Sequence, residues 1–594
     1  MIDSWAWAPL LFLSIDRLFR QASLGWCLIG IFSAAMSVLA GHPQCVYFTA
    51  LMAAIYCVAL WPFFSVRLPQ IGAFICVAIA PVFLSAAQLL PGMAVASECT
   101  RTGNADFFFS SSFSFPPESI MRLVADRFFG SGFGHGQPWT GRSFEHETAC
   151  FIGITALMLA LIGFMQGERR LRWTSTVMIL FSGVLSLGHY TPVFEVAYRW
   201  IPGIAYFRIP ARLVFYSTLF AALLVGKGAD VILKPPNGSA FRRYAPVAFS
   251  VLLIIACAGI GLACGSTVDL TSLALPICVG ILLAILFVFI NGRRPWVART
   301  VLLLGVAELS LYVHTNRTLL PTDFFDDAGL ALFASEHLGD FRVLDSPGFT
   351  STRQVKHPIP NLLGSDPIKL SRYIEFMEAI GYPEDAKDEE VLRKLNRSLA
   401  RLARGSYYIQ HGRATPEFIE LGEPYPRFYF VRDYRVLPKQ EVLPALTDSA
   451  FDPRTTVLLE REPVPLPVVN THASENDELA IVDSSTDHFT LKIALAEPAI
   501  LINTDAYSEG WRVVPVQPGP QPSYEVMPAF YALRAIPLAA GHHVIRLEYS
   551  PLAFRVGVWV SLISWILFLL AVLACLIRYV RQSGKRSESY SVCT

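Results

Sequence analysis

Charged side chains are scarce in this sequence. Asp, Glu, Lys and Arg together make up 16% of the 594 residues, whereas soluble globular proteins carry about 25%. Apolar residues make up 53% of the chain, and the formal net charge is +1. This composition excludes a disordered chain and a cytosolic enzyme, and the lack of excess basic charge excludes a nucleic-acid-binding protein. The sequence is that of a membrane protein that crosses the bilayer several times.

Motifs that carry metal, redox or nucleotide chemistry in soluble enzymes are also missing. The 11 cysteines form no CxxC pair and no Cys/His metal spacing, and there is no phosphate-binding loop, GxGxxG, GxSxG or HExxH motif. Most cysteines lie inside apolar runs. Cys99 and Cys150 are placed to form a disulfide outside the cytoplasm, and two unpaired thiols are the alternative. The cofactor is therefore unknown from motifs, and a divalent metal remains an open alternative.

Long apolar segments occupy much of the chain. A spanning helix needs about 20 mostly apolar residues. A short segment at 5–15 and ten longer ones predict 10–11 spans, the longer ones being 24–40, 44–65, 69–91, 148–165, 173–188, 211–233, 245–265, 271–290, 296–314 and 554–577. No series of acidic residues or histidines crosses these spans, and Glu308 lies alone near the middle of one. This pattern weakens a transporter interpretation.

Basic residues in the short loops fall on alternate connections between the predicted spans. Loops rich in Lys and Arg remain in the cytoplasm, so these loops and the tail 578–594 are predicted to be cytoplasmic. The membrane region then covers 1–314 with an outer loop at 92–147, and 554–577 is the final span. The basic residues are Arg17, Arg20, Arg67, Arg169, Arg170, Arg172, Lys234, Arg242, Arg243, Arg293, Arg294, Arg299, Arg578, Arg581, Lys585 and Arg586.

The region 315–553 is predicted to be extracytoplasmic, and polar residues return there. An apolar stripe at helical spacing predicts a helix between Asp388 and Gly405. Strand-like runs follow, separated by Pro and Gly turns, so we predict an α+β domain that ends in a small antiparallel β-sandwich. Trp511 and Tyr507 are predicted to pack in it, and an exposed carbohydrate platform is the alternative. The strand-like runs are 407–409, 427–431, 489–493, 499–502 and 543–549.

Two arginines lie where the chain enters the span at 211–233. Arg208 and Arg212 are four residues apart, so they share a helix face if the helix starts early. Two guanidiniums at the outer membrane surface would clamp a phosphate or pyrophosphate. Snorkelling towards lipid head groups is the alternative.

Three further polar residues lie at predicted outer ends of spans. His42 and Gln44 belong to a tight turn, in which His42 is either a general base, a donor to a substrate or a helix cap. His189 follows the span at 173–188 and either lines the same cavity as His42 or ends the helix. We predict that these residues converge with Arg208 and Arg212 on one lipid-phosphate site, because unpaired polar groups are costly to bury.

The outer loop 92–147 contains two further features. The aromatic run at 107–118 is predicted to lie in the interface or to cover a lipid-facing groove. Glu118, Glu145 and Glu147 would bind a divalent metal or act as a base; solvated ion pairs are the alternative.

Short motifs in a fixed order along nearly the whole chain resemble the YfhO-type bacterial membrane proteins, a family that is similar to the type C glycosyltransferases. These motifs are Gly41-His-Pro-Gln44, Phe115-Pro-Pro117, Phe129-Gly130, Trp139-Thr-Gly141, Tyr190-Thr-Pro192, Pro202-Gly203, Phe207-Arg-Ile-Pro-Ala-Arg212, Gly364-Ser-Asp-Pro367, Tyr407-Tyr-Ile409, Pro426-Arg427, Tyr507-Ser-Glu-Gly-Trp511, Leu533-Arg-Ala-Ile-Pro-Leu-Ala-Ala-Gly541 and Tyr549-Ser-Pro551.

The resemblance implies a multi-pass protein of the bacterial cytoplasmic membrane with an active site at the outer face. It implies a polyprenyl-phosphate-linked sugar as donor and an envelope glycan or polymer as acceptor. Transfer would be inverting, with a carboxylate as base and the lipid phosphate as leaving group. Arg208 and Arg212 fit a phosphate clamp in such an enzyme.

The resemblance begins several spans into the family pattern, near Trp5. We therefore expect a fragment, a late start or a partial relative that lacks the family's N-terminal spans and its catalytic first outer loop, and we assign no catalytic carboxylate. A second departure is the turn at 517–522, where the family favours a short Asp-Gly turn. The alternative functions are a non-catalytic membrane scaffold and, third, a lipid or polysaccharide transporter.

The predicted orientation can be tested by labelling single cysteines on intact cells with an impermeant thiol reagent. We expect labels placed in 315–553 to react and labels placed in 578–594 to remain unreacted until the cells are opened. Labelling of the tail alone would show that the orientation is reversed.

Overall fold

The structure is a computed structural model. It describes residues 1–100, 106–131, 138–233, 270–289, 295–316, 328–337, 339–346, 359–363, 369–383, 388–410, 416–448, 450–468 and 477–591. The described chain is mostly helical and has a β-rich C-terminal region. It divides into two compact units. The first unit comprises Met1–Ala86, Gly103–Leu319 and Val560–Thr594, and the second comprises Ala87–Thr102 and Leu320–Trp559.

The helices of the described chain are numbered here in order. They are α1 Ile2–Trp5, α2 Ala8–Arg20, α3 Leu24–Leu39, α4 Pro43–Leu60, α5 Leu68–Leu84, α6 Ala86–Glu98, α7 Phe107–Ser110, α8 Ile154–Gln166, α9 Arg169–Ser186, α10 Pro192–Trp200, α11 Val214–Leu233, α12 Ala274–Phe289, α13 Pro295–Asn316, α14 Ala328–Glu336, α15 Ser371–Ala379, α16 Asp388–Lys394, α17 Arg397–Leu402, α18 Lys439–Leu446 and α19 Leu552–Ser591.

Apolar helices indicate a membrane protein. In the described part of the chain, four helices are long and apolar enough to cross a bilayer: Pro43–Phe63, Pro210–Leu233, Trp296–Thr315 and Leu552–Arg581. The bent pair α5 and α6 adds a fifth if it counts as one span. The break in the predicted span 69–91 follows Pro81, which lies in the last turn of α5 and removes a backbone donor there.

Every other predicted span that the structure describes also coincides with a helix. The helices α3, α8 and α12 are apolar but shorter than a usual span, and α9 begins with three arginines in its first four residues. The predicted span 245–265 lies outside the described residues. The short segment at 5–15 lies mainly on α2, whose buried face packs in the first unit's largest apolar cluster.

Two glycines allow α8 and α11 to pack against each other at close range. A Cβ atom at Gly163 would lie 1.9 Å from the carbonyl oxygen of Leu224, and one at Gly228 would lie 1.9 Å from that of Leu159. No residue larger than glycine fits such a backbone contact, which is the usual role of small residues between membrane helices. Gly226, on the same helix, has no atom within 4 Å of its Cβ position.

The acidic residue inside a predicted span, Glu308, caps a neighbouring helix. It is 3% exposed, and its carboxylate accepts the backbone N–H groups of Ile154 at 2.8 Å and Thr155 at 3.1 Å. The first N–H groups of a helix have no partner within it and favour negative charge, so Glu308 satisfies the start of α8. Gly153, with φ +82°, permits the approach, since a Cβ there would lie 2.6 Å from the Glu308 carboxyl carbon.

The strands of the described chain all belong to the second unit. They form a three-stranded sheet of order β1-β2-β3, a four-stranded sheet of order β10-β13-β8-β7 and a six-stranded sheet of order β4-β9-β12-β11-β6-β5, antiparallel except for the pairs β1/β2 and β5/β6. The strands are β1 Arg342–Asp345, β2 Gly405–Gln410, β3 Glu417–Glu420, β4 Phe428–Val431, β5 Asp433–Val436, β6 Thr456–Leu459, β7 Glu478–Ser484, β8 His488–Leu495, β9 Ala499–Asn503, β10 Trp511–Pro515, β11 Met527–Ala529, β12 Leu533–Leu538 and β13 Gly541–Tyr549.

The strand-like runs of the sequence lie on β2, β4, β8, β9 and β13, so these predictions are confirmed. The single helix predicted between Asp388 and Gly405 is wrong. Two short helices, α16 and α17, replace it, because the Asn396 side chain accepts the Leu399 N–H at 3.2 Å and starts a new helix. Gly405 opens β2 rather than ending a helix.

Side chains of the two larger sheets share one apolar cluster. Phe428, Leu501 and Ile536 come from the six-stranded sheet, and Leu491 and Leu547 from the four-stranded sheet. Residues along β8 alternate between buried and less buried, because one face of the strand packs in this cluster. This shared cluster joins the two sheets.

Trp511 packs against this cluster, so the prediction that it packs in the domain is confirmed. The guanidinium carbon of Arg534 lies 3.7 Å from its ring centroid, and the Tyr549 ring lies 5.6 Å away. Tyr507 is half-buried, and its backbone N–H donates to the Ala532 carbonyl at 2.7 Å.

Two glycines of α11 provide a matched test of the close helix contact. Gly228→Ala should destabilise the protein by about 1–3 kcal/mol because the helices must separate to admit the methyl group. Gly226→Ala should be neutral or stabilising by up to about 1 kcal/mol, because alanine favours the helix and meets no atom. Reversible unfolding in mixed detergent micelles measures both, and equal effects of the two substitutions would contradict the contact.

Candidate functional site

Four polar side chains near the starts of α4 and α11 form one connected group, called here the Arg212 cluster: His42, Gln44, Glu147 and Arg212. The Arg212 guanidinium donates to the Glu147 carboxylate through Nε at 2.9 Å and Nη2 at 2.5 Å. Its Nη1 donates to Gln44 Oε1 at 2.7 Å and lies 3.4 Å from His42 Nε2. The cluster therefore joins three separate segments of the first unit.

The local sequence at the start of α4 positions His42 and Gln44. His42 is the N-cap of α4, and its Nδ1 accepts the Cys45 N–H at 3.3 Å; Pro43 suits the first helical position. The side-chain amide of Gln44 donates to the carbonyl oxygens of Arg208 and Ile209. Gln44 thus links the turn before α4 to the segment before α11.

The Arg212–Glu147 pair is largely withdrawn from water, with side-chain exposures of 14% and 4%. A two-point guanidinium–carboxylate contact of this kind is strong and fixes both groups. Each charge therefore neutralises the other, and Glu147 is held as an ion-pair partner rather than as a free base.

His42 is neutral at pH 7. Burial and, after it, the nearby Arg212 guanidinium lower the pKa of His42 below its ordinary value. Because Nδ1 accepts from Cys45, the proton of the neutral ring lies on Nε2. Nη1 of Arg212, 3.4 Å from Nε2, is also a donor, so the two groups do not hydrogen-bond to each other in this tautomer.

Arg208 lies outside this cluster. Ile209 adopts a left-handed conformation with φ 65°, so the helix begins at Pro210 and the two arginines do not share a helix face. The exposed Arg208 guanidinium lies over the rings of Phe109 and Phe113, 5.9 and 5.7 Å from their centroids. Within the described chain, no acceptor is hydrogen-bonded to it.

Strained backbone surrounds Arg208. Phe113 and Ile209 both have positive φ, 54° and 65°, which costs about 1–3 kcal/mol each for residues with a large or branched side chain. The two strained turns contact each other, because the Ile209 N–H donates to the Ser112 carbonyl at 3.0 Å. Such strain persists where the surrounding structure requires it and is common at binding sites.

His189 is exposed and belongs to the same loop region, but no described contact joins its ring to the Arg212 cluster. Its ring Nδ1 lies 3.2 Å from the Ser111 carbonyl, and its backbone N–H donates to Ser114 Oγ at 3.2 Å. Of the five residues predicted to converge, the structure joins Arg212, His42 and Gln44 by side chains. Arg208 is joined through its carbonyl group alone.

An apolar groove of about 450 Å³ lies between α8, α9 and α11. Ala160, Leu180 and Ala221 line its length, and Phe115 and Val214 line one end. The aromatic run that was predicted to cover a groove therefore supplies part of its wall. That end adjoins the basic segment, because Phe115 and Cys150 form one buried cluster with Ile209 and Ala211.

The described residues offer no metal site: no group of three or more His, Cys, Asp and Glu side chains could hold an ion. Glu118 is paired instead with Arg142 at 2.7 and 2.6 Å, and this contact lowers the pKa of the Glu118 carboxyl. Cys99 and Cys150 are both buried thiols, so the disulfide alternative is not formed.

Sequence reasoning included Glu147 only among the loop carboxylates. Its separation of 65 positions from Arg212 leaves no local spacing signal for the pair. Phe109 and Phe113 belong to the aromatic run at 107–118, but their position beneath Arg208 depends on the strained turns.

No family model matches this chain, and no curated protein or solved structure matches it either.

The buried pair can be compared with an exposed one. Glu147→Gln should destabilise the protein by about 3 kcal/mol, since it leaves the Arg212 charge uncompensated. Glu195→Gln breaks the exposed Arg199–Glu195 pair, with exposures of 68% and 47%, and should cost less than about 1 kcal/mol. Unfolding in mixed micelles measures both.

The double variant Arg212→Gln/Glu147→Gln should recover part of the lost stability because no unpaired charge remains. A double variant less stable than Glu147→Gln would contradict this assignment.

Proposed function

We propose that this protein binds a polyprenyl-phosphate-linked sugar at the outer face of the bacterial cytoplasmic membrane and serves its transfer to an envelope glycan or polymer. This is the function expected of a YfhO-type protein similar to the type C glycosyltransferases. One observation carries the proposal: the apolar groove between α8, α9 and α11 ends beside the segment that presents Arg208.

The groove suits the hydrocarbon part of such a ligand. Its walls are almost entirely apolar side chains, and its volume falls within the range of about 300–1,000 Å³ that is usual for small-ligand pockets. A polyprenyl chain has no hydrogen-bonding groups, so burial against leucine, alanine and phenylalanine leaves no polar group unsatisfied.

Arg208 suits the phosphate of that ligand. Its guanidinium is exposed, lacks a described acceptor and rests on two phenylalanine rings, which leaves its planar donors free for a phosphate. Arg212 differs because Glu147 already neutralises it. The two-arginine clamp expected from the sequence therefore becomes one free arginine, whose backbone carbonyl accepts from the Gln44 amide.

The proposal includes the topology expected from the sequence: 10–11 spans, a cytoplasmic C-terminal tail and an extracytoplasmic domain at 315–553. The alternation of basic loops supports this orientation. The apolar cluster shared by the four- and six-stranded sheets supports a β-sandwich in that domain.

A second candidate, a non-catalytic membrane scaffold of the envelope, is favoured by the state of the outer carboxylates. A general base needs an accessible carboxylate that can accept a proton. Three of the described carboxylates near the groove are engaged in the ion pairs Glu118–Arg142, Asp126–Arg122 and Glu147–Arg212.

Photoaffinity labelling of the purified full chain with a polyprenyl phosphate tests the proposed binding. Arg208→Gln should reduce labelling about 10-fold or more, because the loss of one charge-assisted hydrogen bond weakens binding by about that factor. Arg199→Gln removes another exposed arginine, which is paired with Glu195, and should leave labelling unchanged. A polyprenol without phosphate should bind more weakly and should not respond to Arg208→Gln.

Two adjacent alanines of α11 test the groove. Ala221 lines it, so Ala221→Phe should block labelling, whereas Ala222 is exposed and Ala222→Phe should not. Labelling that survives both Arg208→Gln and Ala221→Phe would refute the proposed site.

A further inference from the structure

We propose that the second unit carries a separate binding site for an oxyanion, a phosphate or carboxylate group of an anionic glycan, with Arg427 as its principal donor. The site goes beyond the proposed function, since it lies in another unit and uses no lipid chain. It is formed by the Asp505 cluster, which comprises Arg342, Arg404, Arg427, Arg534, Asp340 and Asp505.

Asp505 is the centre of this cluster. Its carboxylate accepts from Arg342 and, at 3.0 Å, from Nε of Arg427, and Nη1 of Arg404 lies 3.5 Å away. Burial alone would raise the pKa of Asp505, but Arg342, Arg427 and Arg534 together hold it well below the ordinary range. Asp505 is therefore ionised at any physiological pH.

The cluster contains more positive than negative charge. Among the residues that the structure describes, four guanidiniums surround two carboxylates, Asp340 and Asp505, which gives a net charge of +2. Two of the arginines are buried, since Arg404 is 2% and Arg534 is 4% exposed. Burying charge without compensation is costly, and burial lowers the pKa of Arg404 to about 10.

Neutral oxygen acceptors stabilise Arg534 without neutralising it, whereas Arg404 also pairs with the Asp340 carboxylate. Arg534 donates from Nε to the Ala506 carbonyl at 2.8 Å and from Nη1 to Asn503 Oδ1 at 3.0 Å. Arg404 donates from Nε to the Asp340 carbonyl at 3.2 Å, and its own backbone is left-handed with φ 72°. Strain and buried charge are thus concentrated at one place in the domain.

Arg427 is the member that faces solvent with free donors. Its side chain is 29% exposed, and its guanidinium carbon lies 4.4 Å from the Phe489 ring centroid. Nε is bonded to Asp505, whereas the two Nη groups have no hydrogen-bond acceptor among the residues that the structure describes; Asp340 lies 3.9 Å from Nη1. The ring and Asp505 therefore hold a guanidinium fork in place with its outer edge open.

The chemistry of this edge selects the ligand class. A planar guanidinium fork matches the two oxygens of a carboxylate or a phosphate, and the surplus charge of the cluster favours an anion over a neutral sugar. Three of the ordered sequence motifs meet at this cluster. Pro426-Arg427 and Leu533-Arg534 each contribute one of its arginines, and Trp511 of the motif Tyr507–Trp511 lies against Arg534. An acidic or phosphorylated glycan would supply the missing negative charge.

Ligand-induced stabilisation of the purified full chain tests this site. Inorganic phosphate and glucuronate, each compared with sodium chloride at equal ionic strength, should raise the unfolding midpoint in a saturable way. Arg427→Gln should raise the half-saturating concentration about 10-fold or more. The more effective of the two probes identifies phosphate or carboxylate as the natural group.

Three further variants serve as controls. Arg454→Gln removes another exposed arginine that lies over a ring, 5.1 Å from the Tyr425 centroid, and should leave the response unchanged. Arg208→Gln should also leave it unchanged, which separates this site from the lipid-phosphate site. Asp340→Asn removes a competing negative charge from the cluster and should lower the half-saturating concentration.

A response to phosphate and glucuronate no larger than that to chloride would overturn the proposal. An unchanged response in Arg427→Gln, or weaker binding in Asp340→Asn, would also overturn it. Tighter binding in Asp340→Asn supports the proposal, because a purely structural cluster predicts no gain from that substitution. Should Arg427→Gln fail to fold, the direction of the Asp340→Asn effect decides.

Discussion

The ion pair between Arg212 and Glu147 fixes the geometry of the proposed lipid-phosphate site. It ties the first turn of the helix that starts at Pro210 to the loop before α8, and Gln44 extends the connection to the start of α4. Because both charges are satisfied internally, the neighbouring Arg208 is the arginine that remains available. The pair therefore organises the site rather than contacting a ligand, which explains why a buried carboxylate is present beside a predicted anion site.

The two basic regions of the protein differ in the ratio of guanidinium to carboxylate groups. In the Arg212 cluster one carboxylate balances one guanidinium, whereas in the Asp505 cluster four guanidiniums share two carboxylates. Both regions place an arginine that keeps unused N–H donors over an aromatic ring, Arg208 over Phe113 and Arg427 over Phe489. A ring face orients a guanidinium without occupying its N–H donors, so stacking leaves both side chains able to bind an anion.

Much of the fold follows from the sequence because apolar periodicity and turn residues are local signals. The runs on β8, β9 and β13 and the apolar helices could be recognised in this way. Ile209 could not, since a left-handed conformation is unfavourable for a β-branched residue and arises from tertiary contacts. The Asp505 cluster was equally hidden, because its arginines come from separate strands and loops. Glu308 was visible as an isolated charge, but only the structure shows that it caps α8.

The contact at Gly163 and Gly228 has a consequence for how the groove admits a ligand. Backbone-to-backbone packing at 1.9 Å from each missing Cβ leaves α8 and α11 no room to slide or rotate past each other. Two of the three walls of the groove thus behave as one rigid plate. A groove of this construction widens by displacement of α9 rather than by separation of α8 from α11.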